Sequence, residues 1–121
     1  MKESPRILVV DDDAEVATML ARALTRHGFV IDAVNNAQEA LERAEETPYD
    51  AALVDLVMPG RDGADVAGEL RKRIPGIPIA LVTGYTHSPL IPTAERSGMA
   101  VFTKPVIIQD LVDFLQAQIS D

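Results

Sequence analysis

Three consecutive aspartates, Asp11-Asp12-Asp13, follow the apolar run 7–10. Asp55 closes a second such run, Thr83 a third, and Thr103-Lys104-Pro105 a fourth. Lys104 is one of only three lysines, so a cation here stands out. Carboxylates a few ångströms apart repel, and their pKa values rise unless a cation compensates. A hard divalent ion with oxygen ligands is the natural compensation, and magnesium needs only one or two direct carboxylates plus water and phosphate oxygens. A lysine beside them supplies a point charge for phosphate. Together these groups suit phosphoryl transfer, where positioning and charge neutralisation do most of the catalysis.

Each piece also has a plain structural explanation. Aspartates after a strand often cap the next helix, and Asp13 is expected to cap the first one. A lone Asp at a strand end or a Thr-Gly pair is a common turn, and Lys-Pro is an unremarkable dipeptide. The combination argues otherwise, because four strand ends would have to place such groups together by accident. In a parallel α/β sheet the ligand site lies beyond the carboxyl ends of the strands.

The elements that must position these groups follow from two alternating periods. Apolar runs at 7–10, 29–34, 51–54, 77–82 and 100–102 are rich in Val, Ile and Ala and short enough for strands. Several are continuous enough to be buried on both faces, as in a parallel sheet. Between them Val16, Met19, Leu20, Ala23 and Leu24 fall at helical spacing, with Gly28 as a stop. Asn36-Ala-Gln-Glu39 reads as a capping box opening a helix to about 45, with Ala40, Leu41 and Ala44 inward. A third helix is expected over 63–73, ended by Pro75-Gly76. The last is expected over 109–118, with Leu111, Val112, Leu115 and Ile119 inward. Strand and helix alternating five times imply βαβ units with helices on both faces of the sheet. The fourth crossover, 85–98, carries Pro89 and Pro92 and reads as a long loop followed by a short helix over 93–96.

Composition narrows the function. The chain has 121 residues, no cysteine, and 47% hydrophobic against 25% charged residues, which matches one globular domain able to hold a core without disulfides. Nineteen acidic and eleven basic side chains give a net charge of −8, which disfavours direct binding to nucleic acid or anionic membrane. No apolar run approaches a membrane span, and Met-Lys-Glu-Ser-Pro leads straight toward a strand, not a secretory signal. The expectation is one soluble cytoplasmic domain over 1–121, with no effector domain after Asp121.

Four blocks now carry a resemblance. Ile7-Leu-Val-Val-Asp-Asp-Asp13, Ala51-Ala-Leu-Val-Asp-Leu-Val-Met-Pro-Gly-Arg-Asp-Gly63, Leu81-Val-Thr-Gly84 and Phe102-Thr-Lys-Pro105 closely resemble the receiver domain of two-component response regulators, of the stand-alone, chemotaxis-regulator-like kind. The resemblance covers essentially the whole chain. It implies a doubly wound, flavodoxin-like α/β fold, a five-stranded parallel sheet in the order 2-1-3-4-5. It implies that Asp55 takes a phosphoryl group from a phosphohistidine on a sensor histidine kinase or phosphotransfer protein. Asp12 resembles the direct magnesium ligand and Asp11 its partner through water, with the Val57 backbone carbonyl completing the protein ligands. Thr83 would hydrogen-bond the phosphoryl oxygen and Lys104 would pair with it. Pro105 resembles the family's cis-proline, which aims Lys104, and Gly63 suits the tight turn into the third helix. The domain would then bind a downstream protein, and it is expected to be a phosphoacceptor, not an enzyme in the ordinary sense.

Three features depart from the family pattern. Val101 stands where an aromatic usually lies three residues before the lysine, a ring whose inward swing accompanies the threonine's movement. The fourth helix is interrupted by Pro89 and Pro92. Val106 follows Lys104-Pro105, where phenylalanine is commoner. The departures bear on the route from phosphate to output surface, not on the phosphorylation chemistry.

Two alternatives remain open. A phosphorelay intermediate, passing phosphate to another histidine protein, would need no conformational output, and Val101 favours it. An aspartyl-phosphate phosphatase would place its nucleophile in an Asp-x-Asp pattern, which Asp11 and Asp13 match, but the block around Asp55 would go unexplained. His27 reads as a partner for the dipole at the end of the first helix, and His87 as a loop residue. Arg71-Lys72-Arg73 reads as a solvated helix end, and Arg22 and Arg26 with His27 as part of a kinase-docking face.

Overall fold

The computed structural model describes residues 4–84 and 88–119. Strands β1 (Arg6–Val10), β2 (Val30–Val34), β3 (Ala51–Asp55), β4 (Ile79–Thr83) and β5 (Ala100–Thr103) alternate with helices α1 (Ala14–Thr25), α2 (Ala37–Glu46), α3 (Gly63–Arg73), α4 (Leu90–Arg96) and α5 (Ile108–Ile119). The sheet is parallel throughout, in the order β2-β1-β3-β4-β5, as the resemblance implied. β3 and β4 are buried at every position, which is why their sequences run apolar without alternation.

Successive side chains leave opposite faces of the sheet and enter two cores. Ile7, Val9 and Leu53 pack with Leu20 and Leu24 of α1 and Leu111 and Leu115 of α5. Leu8, Val10, Val54 and Leu81 pack with Ala40 of α2, Val66 and Leu70 of α3 and Ala94 of α4. The cap expected at Asn36 is present: its side chain accepts from the Glu39 amide at 2.8 Å. Asp62, for which no cap was expected, caps α3 by accepting from the Asp65 amide at 2.8 Å.

Three expectations change. Met19 does not belong to the inner stripe of α1: it is 46% exposed, because Ala17, Leu20 and Leu24 define the buried face. α4 begins at Leu90, not 93, so it includes Pro92. Pro89 is its N-cap and Pro92 its third residue, where the missing N–H belongs to the first turn, whose donors lack helical partners anyway. Residues 85–87 of that crossover, His87 among them, lie outside the described residues. The run Arg71-Lys72-Arg73 is more than a solvated end. Arg71 donates to the Ser97 carbonyl at the end of α4 at 2.8 Å, and Arg73 pairs with Glu69 at 3.1 Å and with Glu45 of α2 at 3.3 Å.

At the outer edge of the sheet, Asp32 of β2 accepts a 2.8 Å hydrogen bond from the Tyr49 hydroxyl, with the Arg6 guanidinium 3.8 Å from the same oxygen.

Candidate functional site

The end of β1 sorts the three aspartates into different roles. The Asp11 amide still donates to the Val34 carbonyl at 3.1 Å, one residue past the strand, so Asp11 is held at 2% exposure while Asp12 is exposed. Asp11 Oδ1 accepts from the Asp13 amide at 2.9 Å. Asp13 Oδ1 in turn accepts from the Glu15 and Val16 amides at 3.0 and 3.3 Å, so it caps α1 as expected.

Asp55 is the last residue of β3 and is 6% exposed. Its Oδ1 accepts from the Val57 amide at 3.3 Å. Leu56, the next residue, is held through both its backbone groups. The Leu56 amide donates to the Val82 carbonyl at 2.9 Å, and the Leu56 carbonyl accepts from the Gly63 amide at 2.7 Å. An antiparallel bridge between Val57 and Asp62 closes the intervening loop. Lys104 follows β5, its amide donates to the Thr83 carbonyl at 2.7 Å, and the Lys104–Pro105 peptide is cis.

These backbones converge their side chains. Lys104 Nζ lies 3.2 Å from Asp11 Oδ2 and 3.5 Å from Asp55 Oδ2. Asp11, Asp12 and Asp55 each offer an oxygen within 4.8 Å of the others. Asp12, Asp13, Asp55 and Lys104 border a cleft of about 610 Å³ that Val57, Met58, Pro59 and Gly84 complete, whereas Asp11 is buried and is not part of the lining. Three carboxylates against one ammonium leave an excess of negative charge in an all-oxygen donor set, which fits a hard divalent ion. Burial, and then the neighbouring Asp11 charge, push the Asp55 carboxyl up from 3.8 to about 6, with Lys104 and the Val57 amide pulling the other way. Burial works against the Lys104 ammonium, but Asp11 and Asp55 outweigh it and raise its pKa.

Not every expected residue reaches the cleft. Thr83 is fully buried at the end of β4, where Gly84 forms the cleft wall. Val101 packs half-buried against the core beneath α2, α3 and α4. Met58 and Pro59 were given no role in advance, although both stand in the stretch that carries Asp55.

Residues 7–116 match the family model of the response regulator receiver domain. The chain belongs to the response regulator receiver family. The receiver is 32% identical over 112 residues to the response regulator receiver protein CpdR of Brucella abortus, covering 92% of this chain and 93% of CpdR. It is 37% identical over 109 residues to a response regulator receiver protein of Anaeromyxobacter sp., covering 89% of this chain but 46% of that protein. The chain spans about half the length of several curated relatives that it matches. Among solved structures, a response regulator of Burkholderia pseudomallei superposes with a TM-score of 0.86 at 28% identity, covering 97% of this chain and 69% of that one. That structure contains a phosphorylated aspartic acid, a calcium ion and citrate. Receivers are domains of two-component systems that work with histidine kinases or phosphotransfer proteins and bind magnesium at an acidic pocket. Among the described residues of this one, no helix is long and apolar enough to cross a membrane.

Proposed function

We propose that Asp55 accepts a phosphoryl group from a phosphohistidine on a sensor kinase or phosphotransfer protein, and that the phosphorylated receiver changes its binding to a downstream protein. The observation that carries this reading is Lys104 Nζ standing between the Asp11 and Asp55 carboxylates at 3.2 and 3.5 Å. An Asp55 oxygen forms the new bond to phosphorus while the nitrogen–phosphorus bond of the donor breaks, its electron pair staying on the imidazole. Lys104 then pairs with the phosphoryl oxygens it already faces, and Thr83, buried beside Gly84 at the end of β4, supplies a hydroxyl only on moving toward the group. Asp11, Asp12, Asp55 and the Val57 carbonyl are the residues that would hold magnesium. When bound, the ion neutralises charge on the carboxylates and the transferring group. The calcium ion and phosphorylated aspartate of the Burkholderia relative support the assignment. So does Asp13, whose Oδ1 is used by the α1 cap.

The donor reaches the site along α1. Val16, Met19, Leu20, Pro105 and Val106 line an apolar groove of about 320 Å³ that shares Lys104 with the acidic cleft. A partner helix laid in this groove brings a histidine to the mouth of the cleft; Arg22 and Arg26 line a neighbouring depression along α1 that shares Met19 with the groove. This reading sets the domain, spanning 1–121, in the cytoplasm beside its kinase.

Intact mass after treatment with acetyl phosphate and magnesium tests the proposal. One phosphoryl group should be gained, and Asp55→Asn should abolish the gain; undiminished labelling of that variant moves the acceptor elsewhere.

Val101 favours a second reading, a relay intermediate. With no ring at this position there is nothing to exchange between buried and exposed states as Thr83 moves, and a ligand shifts an equilibrium only through differential affinity. Hydrogen exchange with and without beryllofluoride separates the readings. A switch alters protection across 88–98, whereas a relay leaves that segment unchanged.

A further inference from the structure

Gly63 is buried as the first residue of α3, and its φ lies outside the left-handed region occupied by Gly28, Gly60, Gly76 and Gly98. The turn into the helix therefore does not demand a glycine. Space does. A Cβ at this position would overlap the carbonyl oxygen of Asp55 and lie 2.8 Å from both the Asp55 carbonyl carbon and Leu56 Cα. All three are backbone atoms, and the Leu56 amide is fixed to Val82, so none can swing aside. Gly68, one and a half turns along the same helix, has open space where its Cβ would be.

We propose that Gly63 is a positioning residue for phosphoryl transfer: its missing side chain lets α3 close onto the Asp55 peptide and so fixes the Asp55 carboxylate and the Val57 carbonyl relative to Lys104. The proposal rests on Asp55 being the acceptor. The same residue donates its amide to the Leu56 carbonyl, so the contact bears on the Asp55–Leu56 peptide and the hydrogen bond on the Leu56–Val57 peptide that follows. Asp11 and Lys104 stand on other strand ends and do not follow these peptides if they move. A methyl group at 63 thus shifts the acceptor against its partners, and a displacement near 1 Å costs about a hundredfold in rate.

The test compares wild type with Gly63→Ala, Gly68→Ala and Asp62→Ala. The readouts are acetyl phosphate labelling by intact mass, magnesium affinity by calorimetry, and melting temperature. Gly63→Ala is expected to label about a hundredfold more slowly and to bind magnesium more weakly while still melting cooperatively. Gly68→Ala should label as wild type does. Asp62→Ala loses the α3 cap, and so stability, yet keeps the wild-type labelling rate of folded protein. Gly63→Ala labelling at the wild-type rate with wild-type magnesium affinity overturns the proposal. If Gly63→Ala does not fold, the wild-type protein carries the test. Its Gly63 amide should exchange as slowly as that of Val54, and more slowly still with magnesium and beryllofluoride. Fast exchange there, in protein that binds beryllofluoride, overturns the proposal equally. Failure of wild type to label defeats the acceptor assignment instead, and magnesium affinity still reports whether Gly63 shapes the site.

Discussion

The amide of Lys104 donates to the carbonyl of Thr83 at 2.7 Å, so β4 and β5 are fastened together at the residues that carry the hydroxyl and the ammonium. The lysine's other end lies between two carboxylates from two further strand ends. One residue therefore links β4 to the acidic cluster, through its backbone on one side and its side chain on the other.

Replacing Lys104 with methionine keeps the stem and removes the charge. Burial and the Asp11 charge would then act on Asp55 without their main opponent. The Asp55 carboxyl should titrate above the value of about 6 that it has beside the lysine. Carbon-13 NMR of the aspartate carboxyls reads this directly. A midpoint that stays put or falls contradicts the bridging role.

The raised Asp55 pKa sets a direction for stability. A carboxyl that holds its proton more tightly when folded stabilises the fold below its unfolded pKa and loses that contribution as pH rises through the folded value. Here the loss runs from 3.8 to about 6 and is complete above it. In metal-free buffer Asp55→Asn should therefore melt higher than wild type above pH about 7, by roughly 4 °C or more. The advantage should shrink as pH falls toward the unfolded value. A gain independent of pH would assign the effect to something other than this charge.

Magnesium should raise the melting temperature of the wild type, by about 2.7 kcal/mol of added stability at a hundredfold excess over its dissociation constant. Asp12→Ala removes a carboxylate that is exposed and outside the sheet, so the variant should fold yet lose most of that dependence. Differential scanning fluorimetry across a magnesium titration is sufficient. Equal shifts in both proteins would mean that the ion binds elsewhere.

Pro92 makes a contrasting prediction. Proline in a helix interior costs about 3 kcal/mol, but in the first turn it removes no helical hydrogen bond. Pro92→Ala should change stability by no more than about 0.5 kcal/mol in chemical denaturation. A large change in either direction would argue that Pro92 is not in the first turn.

Strand ends were the legible part of the sequence, because apolar runs stop where polar side chains begin. Asp55 and Lys104 could be placed at one edge of a parallel sheet for that reason. The run of three aspartates was only half legible. That Asp13 caps α1 follows from local rules, whereas the burial of Asp11 depends on an amide reaching across to β2. Pro89 and Pro92 misled by type, since a helix breaker and a first-turn residue look alike until the turn is located. Met19 fits a 3.6-residue period but lies beyond the edge of the covered face. The constraint on Gly63 was invisible, since the atoms that crowd it belong to backbone seven and eight positions away.

Asp32 has a consequence for the molecule in crowded solution. β2 ends the sheet, and its outward backbone groups offer a template on which another chain could add a strand. The neighbouring side chains Val30 and Ala33 are exposed and would not discourage this. Asp32 does, because an incoming strand would have to desolvate a carboxylate that Tyr49 and Arg6 hold in place. A charge on the border strand therefore works against growth of the sheet at the β2 edge.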